Sequence, residues 1–364
     1  FKASEKIKFG LNLSGSYIRR QVQSGLGYDR NIIGSSFLMD PQLKYKNDDG
    51  TYPISFSQPG MFANPNFYLV LKDRKNPSRV IRGTMNAFTE VEFIEGLKYR
   101  LNANADMANF RQETWVPSHV NGAMFSAPPN PSYGSYYNFN YQTWLLEHLL
   151  TYSKTFFYLH DVDVLLGYSA QQSKYMNSTI NASDYPDDEV GFFNAATTKV
   201  GSGSKSQWSM ASWFARLNYA YNDRYLLTLA FRRDGCSRFG MNARWANFPS
   251  VSAGWIITEE EFMKQWENLN FLKLRASWGK VGNNNLGGGD YPSIASVSSN
   301  NYVYNGTVVP GRQLSSIANG DLTWETTESW DTGLDVGLFN DRIFFMDDDY
   351  RKTTDGLLYW IDIP

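Results

Sequence analysis

The sequence contains few side chains that could perform covalent chemistry or hold a metal ion. Its three histidines, His119, His148 and His160, lie on different segments of the chain. A zinc site needs several ligands that converge on one point, so we expect each histidine to be a polar residue of a loop or strand end. Cys236 is the single cysteine, and no histidine is near it in sequence. Because a nucleophilic cysteine needs a depressed pKa, we expect Cys236 to be unreactive.

Short charged or glycine-rich motifs give no catalytic pattern either. Residues 201–206 read Gly-Ser-Gly-Ser-Lys-Ser, but a phosphate-binding loop ends in Gly-Lys followed by Ser or Thr and leads into a helix. Residues 187–189 and 259–261 are acidic runs. Glycosidase carboxylates face each other across a substrate, which sequence neighbours rarely do, so we interpret both runs as solvated turns. The sequence therefore predicts no enzyme activity and no cofactor.

Composition and charge narrow the class of protein. Aromatic residues make up 16% of the chain and charged residues 19%, and this excess of Tyr, Phe and Trp favours strands and interfaces. The net charge of −2 gives no basic footprint for nucleic acid. A single cysteine excludes an internal disulfide framework. No run approaches the roughly 18 apolar residues of a membrane helix, but the strands of membrane barrels are half polar and give weak hydropathy signals.

The stretch from residue 217 to residue 255 shows the pattern that the rest of the chain repeats. Apolar residues alternate with small or polar ones in three runs, Leu217, Tyr219, Tyr221, then Leu227, Leu229, Phe231, then Val251, Ala253, Trp255. A period of two is typical of strands with one apolar and one polar face. The Asn-Asp-Arg sequence at 222–224 predicts a tight turn between the first two runs.

The same alternation predicts eleven strands in the whole chain. Five lie at about 6–17, 80–93, 97–110, 139–152 and 157–170, three within 217–257, and three at 271–279, 323–338 and from 342 onward. Short connections are expected at 94–96, 153–156, 222–224, 259–269 and 340–341, the fourth with room for a helical turn. Long connections are expected at 19–79, 111–138, 171–207, 234–248 and 280–322.

Short and long connections alternate strictly, and this asymmetry decides the predicted architecture. In an up-and-down antiparallel meander, all short turns lie at one end and all long loops at the other, which is typical of outer-membrane barrels. A soluble β-sandwich also has period-two strands and stays the alternative. It would pack Leu101, Leu227, Leu274 and Val336 in one closed core. Because bacterial barrels have even strand numbers, eleven strands fit about half of a 22-stranded barrel, the size class with a plugged lumen.

Several segments resemble one protein family. Residues 212–255 (SWFARLNYAYNDRYLLTLAFRRDGCSRFGMNARWANFPSVSAGW) are similar to a signature region of SusC/RagA-type TonB-linked outer-membrane proteins. The other similar segments are 93–106 (FIEGLKYRLNANAD), 149–172 (LLTYSKTFFYLHDVDVLLGYSAQQ), 255–285 (WIITEEEFMKQWENLNFLKLRASWGKVGNNN), 319–343 (NGDLTWETTESWDTGLDVGLFNDRI) and 353–358 (TTDGLL).

The resemblance implies an all-β transmembrane barrel of 22 strands in the outer membrane of a Gram-negative bacterium, with long extracellular loops and short periplasmic turns. It implies import of oligosaccharides, or of peptides, with energy from the TonB complex and ligand capture by a SusD-like surface lipoprotein. Residues 1–364 would be part of the barrel domain, with the plug and the N-terminal regions upstream and the last strands downstream. The resemblance names no substrate-binding residue.

Two other functions stay open at this stage. One is a soluble or surface-exposed β-sheet module that binds glycans, as an adhesin or as an accessory module of an enzyme. The other is an outer-membrane barrel enzyme, for which the sequence offers no convergent catalytic set. A curved single sheet with one apolar face would favour the transporter, and two sheets that enclose their apolar faces would favour the soluble module.

One departure from the family pattern lies in the loop around 233–247. Cys236 stands where the family usually has the second small polar residue of Asp-Gly-Ser-Ser-Arg-Phe-Gly, and we interpret it as a tolerated replacement. Four charged residues surround it, Arg232, Asp234, Arg238 and Arg244. We interpret these four residues as a charge network that fixes the loop, and the alternative is a ligand site at the mouth of the lumen.

The second departure is a run of three aspartates, Asp347, Asp348 and Asp349, in strand eleven, where the family is apolar at alternate positions. The first and third of these should share a face with Ile343 and Phe345. Acidic residues on a lipid face are destabilising, so the register of this strand stays open. Three consecutive aspartates on a strand cannot all face one ion, and we expect no metal site.

The sequence also predicts which residues face lipid and which residues meet ligand or partner. In strand seven Leu227, Leu229 and Phe231 should face lipid, whereas Thr228 and Arg232 should face the lumen. The long loops carry aromatic residues that suit a sugar or peptide ligand, an interfacial belt or a partner equally well: Trp115, Tyr133, Tyr136, Trp208, Tyr302 and Tyr304.

Overall fold

The computed structural model describes residues 1–22, 37, 44–56, 64–122, 127–285, 287, 289–340 and 342–359. Eleven antiparallel strands pair in chain order in one sheet. They are β1 Ile7–Gln21, β2 Pro77–Ile94, β3 Leu97–Val116, β4 Tyr133–Phe156, β5 His160–Ser183, β6 Thr198–Tyr221, β7 Tyr225–Cys236, β8 Trp245–Ile256, β9 Leu269–Asn283, β10 Glu325–Leu338 and β11 Ile343–Asp355. The predicted up-and-down meander of eleven strands is confirmed.

In the described ranges around the sheet, the helical segments of three or more residues are short. Helix α1 spans Phe67–Asp73, and 3-10 turns span Ser118–Val120, Phe193–Ala195, Ile257–Glu259 and Glu261–Met263. The last two confirm the helical turn predicted between strands eight and nine. Among the described residues, no helix combines the length and the apolar character that crossing a membrane would need.

The tight turns of the sheet use left-handed backbone conformations. Gly96 has a φ of +82°, Asn222 and Asn340 have φ values of 52° and 58°, and residues of these types tolerate the left-handed region well. These turns confirm three of the predicted short connections. All the short turns therefore lie at one end of the sheet, since every strand pair is antiparallel.

The turn between β4 and β5 lies at 157–159, and its prediction at 153–156 was wrong. Ser153 pairs with Asp163 across the strands, and the pairing continues to Phe156. The Oγ of Ser153 donates to Asp163 at 2.6 Å, and the hydroxyl of Thr155 donates to Asp161. The Ser-Lys-Thr sequence suggested a turn because all three residues are polar, but Ser153 and Thr155 lie on one face of a continuing strand and Lys154 lies on the other.

The central strands are longer than predicted, because their polar outer parts still pair. The loops predicted at 111–138 and 171–207 shrink to 117–132 and 184–197. Beyond the apolar part of β3 and β4, the amide of Asn109 donates to Asn138 and Asn140. Ladder hydrogen bonds and side-chain amides hold these segments together without an apolar face. Period-two hydrophobicity could not reveal them.

The first long connection is only partly irregular. Strand β1 continues to Gln21, and helix α1 lies within the segment predicted as loop. Asn66, which is fully buried, caps this helix by accepting from the backbone N–H of Tyr68, and its amide group donates to the carbonyls of Tyr45 and Pro53. Residues 23–36, 38–43 and 57–63 of the predicted loop lie outside the described residues.

The two faces of the sheet differ as the alternation predicted. Leu227, Leu229 and Phe231 share one face of β7, where Leu229 is 41% and Phe231 is 46% exposed. We call this side the apolar face. Thr228 and Arg232 lie on the opposite side, the polar face, where the hydroxyl of Thr228 donates to Asn218 and Arg232 contacts Ser212.

The β-sandwich alternative is wrong for the described chain. The apolar face carries Leu274 at 46% exposure. The buried clusters of the described residues do not include any of Leu101, Leu227, Leu274 and Val336. These clusters lie instead in the long connections and the strand ends beside them. The described residues form no apolar layer against this face of the kind that a sandwich needs.

Candidate functional site

Cross-strand ion pairs line the polar face in the first part of the sheet. Arg82 on β2 donates two hydrogen bonds to Asp106 on β3. The Nε atom lies 2.9 Å from Oδ1, and the Nη2 atom lies 2.6 Å from Oδ2. Glu90 lies between Lys8 at 3.2 Å and Arg100 at 3.5 Å. Because each pair joins neighbouring strands, these contacts fix the positions of charges on the wall.

A groove of about 760 Å³ opens on the sheet near the short-turn end of β4–β7. Asp163 lies in its wall, where it accepts from Ser153 at 2.6 Å and from the amide of Asn218 at 3.1 Å. The lining of the groove combines Ser, Thr, Asp and Asn side chains with Glu95, Lys154 and apolar residues that include Leu226. These groups suit water and polar solutes and hold no catalytic pair.

The last part of the polar face carries a network around Arg275 on β9. Its guanidinium nitrogens lie 3.2 Å from Asp335 on β10 and 2.6 Å from Asp348 on β11. A further aspartate, Asp331, is 3.8 Å away. Gly333 on β10 leaves room for the side chain of Arg275, since a Cβ on Gly333 would lie 2.5 Å from the central carbon of the guanidinium. The side chain of Arg275 therefore lies across β10 to reach β11.

The register of β11 is now defined. Asp348 belongs to the polar face through Arg275, whereas Asp347 and Asp349 pair with Leu334 and Thr332. Leu334 pairs in turn with Leu274 of the apolar face. The prediction that the outer two aspartates share the apolar face is confirmed. The sequence reading missed the structural use of the middle aspartate.

A buried cluster holds the long connections together at the other end of the sheet. Cys236, Phe239, Phe248 and Trp324 form its core. The indole N–H of Trp324 donates to the carbonyl of Arg244 at 3.0 Å, and the N–H of Gly240 donates to Leu322 at 3.0 Å. A Cβ on Gly240 would lie 1.7 Å from the carbonyl oxygen of Gly320. The β7–β8 loop is thus pressed directly against the β9–β10 loop.

Polar contacts tie the same two loops to β6. The guanidinium of Arg238 lies 2.9 Å from Asp290 and 4.7 Å from the centre of the Trp208 ring. Asp290, which is buried, also accepts from Ser206, and the hydroxyl of Tyr291 accepts from the backbone of β6 at 3.0 Å. The sequence analysis missed Asp290, because an aspartate after a glycine run gives no local sign of a distant partner.

The predicted charge network therefore exists, but it consists of separate parts. Arg232 pairs with Asp234 and Ser212 on the polar face. Arg238 pairs with Asp290, and Arg244 contacts the carbonyl of Phe239 at 3.4 Å. Cys236 is fully buried at the centre of the cluster. This geometry supports the interpretation that these residues fix the loop.

The three histidines lie on different segments, as predicted, but the prediction of a loop or strand-end position is wrong for His148, which lies inside β4. His119 is in the loop region between Asp73 at 2.9 Å and Asp188 at 3.3 Å. His148 and His160 contact the hydroxyls of Tyr99 and Tyr219 at 2.7 and 2.8 Å. Among the described residues, no group of three or more His, Cys, Asp or Glu could hold a metal ion.

Asp188 is the best-connected acidic residue of the predicted run 187–189. It accepts from the backbone N–H of Ser118 at 2.8 Å and from the hydroxyl of Ser118 at 2.7 Å. Partial burial works to raise the pKa of Asp188, but these hydrogen bonds and the contact with His119 outweigh it and hold that pKa below its usual value. The aspartate joins two long connections, so its role goes beyond that of a solvated turn residue.

The loop aromatics divide into packed and exposed groups. Trp115 is buried against Tyr185 with ring centres 4.6 Å apart, and Tyr136 packs on Phe193 at 4.9 Å. A hairpin at 297–314 instead exposes Tyr302 by 56% and Tyr304 by 70%. We call residues 297–314 the finger. Its tyrosines alternate with Val303 on one strand, so both lie on the same side.

Aromatic residues also form bands on the apolar face. Near the short turns, the rings of Tyr221, Tyr225 and Trp255 stack at 6.1 and 6.4 Å from strand to strand. Further along the strands, Trp278 and Trp330 lie 6.0 Å apart. A band of aromatic residues at the short-turn margin of an apolar face is typical of a wall that crosses a membrane.

Comparison with known proteins identifies this wall. Residues 11–364 match the family described as TonB dependent receptor-like, beta-barrel. The chain belongs to this family. The TonB-dependent receptor P39 of Formosa agariphila is 31% identical over the whole of this chain and 34% of its own length. The TonB-dependent receptor SusC of Bacteroides thetaiotaomicron is 28% identical over 93% of this chain and 32% of its own length.

Solved structures agree on the fold of this TonB-dependent receptor barrel. A structure of the RagAB peptide transporter superposes with a TM-score of 0.84 at 24% identity, over the whole of this chain and 40% of the compared chain. The chain spans about a third of the length of the relatives that it matches. The sheet is part of an outer-membrane β-barrel, in which the apolar face meets lipid and the polar face lines the lumen.

Proposed function

We propose that the receptor containing this chain imports a large polar nutrient across the outer membrane in a TonB-dependent way. The observation that carries this proposal is the polar face, on which several charges pair across strands, among them Lys8 with Glu90, Arg82 with Asp106 and Arg275 with Asp348. A wall of paired charges guides a polar solute without holding a catalytic group in position. The mechanism has no covalent step, and the described residues contribute passage and shape.

The cargo we propose is an oligosaccharide, with a peptide as the second candidate. The finger exposes two tyrosines and a set of Asn, Ser and Thr side chains at the long-loop end. Arg312 is the single charged residue from 291 to 320. Tyrosine rings with neutral hydrogen-bonding groups match the mixed apolar and hydroxylated surface of a sugar, whereas a peptide of varied sequence would favour some fixed charges.

We also propose a SusD-like surface lipoprotein as the partner of the long-loop end. Strands β3–β6 continue beyond the apolar zone, and their connections pack into a defined surface around Trp115 and Tyr136. A surface of this kind suits a permanent partner. Residues 1–364 would form one part of the barrel wall, and further strands and a plug would come from other parts of the same protein.

Growth and uptake measurements test the proposed function. A strain without the parent gene would be compared with the wild type on defined oligosaccharides and on defined peptides as sole carbon sources, with a strain that lacks TonB as the control. We expect the strain without the parent gene and the strain without TonB to fail on one class of oligosaccharide. Both of these mutants should grow normally on the corresponding monosaccharide. Normal uptake of every oligosaccharide and peptide without the receptor would contradict the proposal.

The lipoprotein partner has its own test. The tagged receptor would be purified from detergent-solubilised outer membranes, and the bound proteins would be identified by mass spectrometry. We expect one surface lipoprotein in near-stoichiometric amount, encoded next to the receptor. A receptor that purifies without any lipoprotein would remove the partner from the proposal and leave the import assignment standing.

A further inference from the structure

Arg233 interrupts the apolar face of β7, directly after Phe231. Its cross-strand partners are Trp213 on β6 and Asn247 on β8. Trp213 is 58% exposed, and Arg233 is exposed as well. Within the part of the chain that the structure describes, the contact of the guanidinium is with an aromatic ring and no carboxylate pairs with it. A cation without a counter-charge thus points outward from the barrel wall.

Two tryptophans and a glycine form the surroundings of Arg233. The guanidinium lies 5.5 Å from the ring centre of Trp245, within the range of a cation–π contact. This ring lies flat over β7, because Gly235 leaves room for it: a Cβ there would be 2.7 Å from the indole. On the other side, the ring of Trp213 packs against Tyr168 with ring centres 4.5 Å apart and an angle of 46° between the ring planes. Arg233 is therefore held between two tryptophans, one of which supports it.

The position of Arg233 along the strand is at the outer margin of the apolar zone. Eight residues separate it from Tyr225 in the band near the short turns. At about 3.3 Å per residue and a strand tilt of about 40°, this separation corresponds to roughly 20 Å along the membrane normal, close to the ~25 Å apolar height of such barrels. Tryptophan and arginine at this height meet lipid headgroups.

The charge of the surrounding surface has one sign. The strand register places no Asp or Glu on the apolar side of β5–β8, within the described residues. The charged residues on that side are Lys174, Lys199, Lys205 and Arg233, all towards the long-loop ends. The outer margin of this part of the wall therefore attracts anions. By contrast, the same side of β9–β11 carries both signs, with Glu328 beside Lys280.

We propose that Arg233, supported on Trp245 and flanked by Trp213, binds a phosphate group in the headgroup of an outer-leaflet membrane lipid. The guanidinium presents a planar fork of donors that matches phosphate oxygens, and it has no competing carboxylate. The two indole rings occupy the boundary between the acyl chains and the headgroup. This site depends on the outer-membrane location of the sheet and is independent of the cargo that the receptor imports.

Lipid retention by the intact receptor tests this site. The receptor would be purified in a mild detergent, mixed with bis-phosphorylated lipid A or with its dephosphorylated form, and analysed by native mass spectrometry. We expect retention of the phosphorylated lipid alone, and about a tenfold weaker retention in Arg233→Gln, the loss typical of one charge-assisted contact. Arg233→Lys should retain an intermediate amount. Arg216→Gln, on the lumen side of β6, is the matched control and should behave as the wild type.

Each other outcome overturns the proposal. Equal retention of the two lipids would mean that the phosphate is not recognised, and this comparison needs no variant. Unchanged retention in Arg233→Gln, with the heat-modifiable mobility of a folded barrel, would place the lipid elsewhere. If Arg233→Gln instead dissociates a second copy of the receptor and leaves lipid retention unchanged, the surface is a protein interface.

Discussion

The connection between β9 and β10 contains two parts of opposite character. Asp290, Tyr291 and Trp324 at its two ends are anchored to β6 and to the β7–β8 loop. The finger between these ends exposes Tyr302 and Tyr304 and has ordinary hairpin pairing within itself. The first part holds the mouth of the barrel in shape, and the second presents side chains to whatever arrives there. One segment thus combines a scaffold and a recognition surface.

This difference predicts which substitutions should change the stability of the fold and which should change ligand binding. The anchored part contributes Trp324 to the recognisable family pattern and contacts two residues of that pattern in the β7–β8 loop, Arg238 through Asp290 and Phe239 through Trp324. The finger carries a single charged residue, Arg312, and no buried side chain among its strands. Substitutions in the anchored part should therefore change folding, and substitutions in the finger should change ligand affinity alone.

Trp324→Ala should give the largest effect. Trp324 is 4% exposed and contacts Phe239 and Phe248 with ring centres 4.8 and 5.4 Å away. Removing it leaves a cavity and takes away one of the two hydrogen bonds to the carbonyl of Arg244, which still accepts from the N–H of Cys236. We expect the free energy of unfolding to fall by about 3–5 kcal/mol. Denaturant unfolding of the receptor in lipid vesicles measures this loss. Tyr304→Ala is the matched aromatic control, and an equal loss in that variant would remove the distinction.

Arg238→Gln should give the next largest effect on the free energy of unfolding. Among the residues that the structure describes, it leaves Ser206 as the remaining hydrogen-bond partner of the buried Asp290 carboxylate. We expect the free energy of unfolding to fall by about 3 kcal/mol. The double variant Arg238→Gln with Asp290→Asn removes both charges and should recover a large part of that loss. Additive losses in the double-mutant cycle would show that the two side chains do not interact.

Replacing both finger tyrosines should alter binding and leave stability unchanged. In the double variant of Tyr302→Ala and Tyr304→Ala we expect an unfolding free energy within about 0.5 kcal/mol of the wild type. The affinity for the imported oligosaccharide should fall tenfold or more, as for exposed aromatic anchors in other interfaces. Calorimetric titration of the purified receptor measures this affinity, and Val303→Ala on the opposite side is the control. Unchanged affinity would remove the finger from ligand capture.

The smallest expected effect is a pH dependence of the stability of the 184–197 loop. Because the pKa of Asp188 is lowered in the fold, its hydrogen bonds stabilise the loop above the ordinary aspartate pKa, and this contribution is lost as pH falls through the lowered pKa. Hydrogen exchange of the loop amides should therefore accelerate, relative to the rest of the sheet, only in the acidic range. Asp188→Asn should lack this acid-dependent change, and an identical profile in both proteins would contradict the assignment.

The sequence predicted the strands well where one face is apolar and one is polar. The alternation of Leu227, Leu229 and Phe231 with Thr228 and Arg232 was sufficient to place both faces of β7. It failed in the outer parts of β5 and β6, since these segments are polar on both sides and only strand pairing reveals them. Turn chemistry succeeded at Asn222 but failed at 153–156, where the polar residues lie within a continuing strand.

The same physical reason decides which functional residues could be predicted from the sequence and which could not. Local patterns identified the charged residues around Cys236, because they lie close together in sequence. They could not identify Asp290 or the reach of Arg275 across Gly333, since both contacts join residues roughly 50 to 70 positions apart. Long-range pairs of this kind depend on strand register, which a single sequence does not contain.

Solvent accessibility along β7 tests the central claim most directly, namely that this sheet is a membrane wall with lipid on one side and a polar lumen on the other. Spin labels would be placed one at a time at 227–232, in a Cys236→Ser background, and the receptor would be reconstituted in lipid. We predict that labels at 227, 229 and 231 collide with oxygen and labels at 228, 230 and 232 with a water-soluble relaxant. Uniform accessibility, or the opposite phase, would contradict the account.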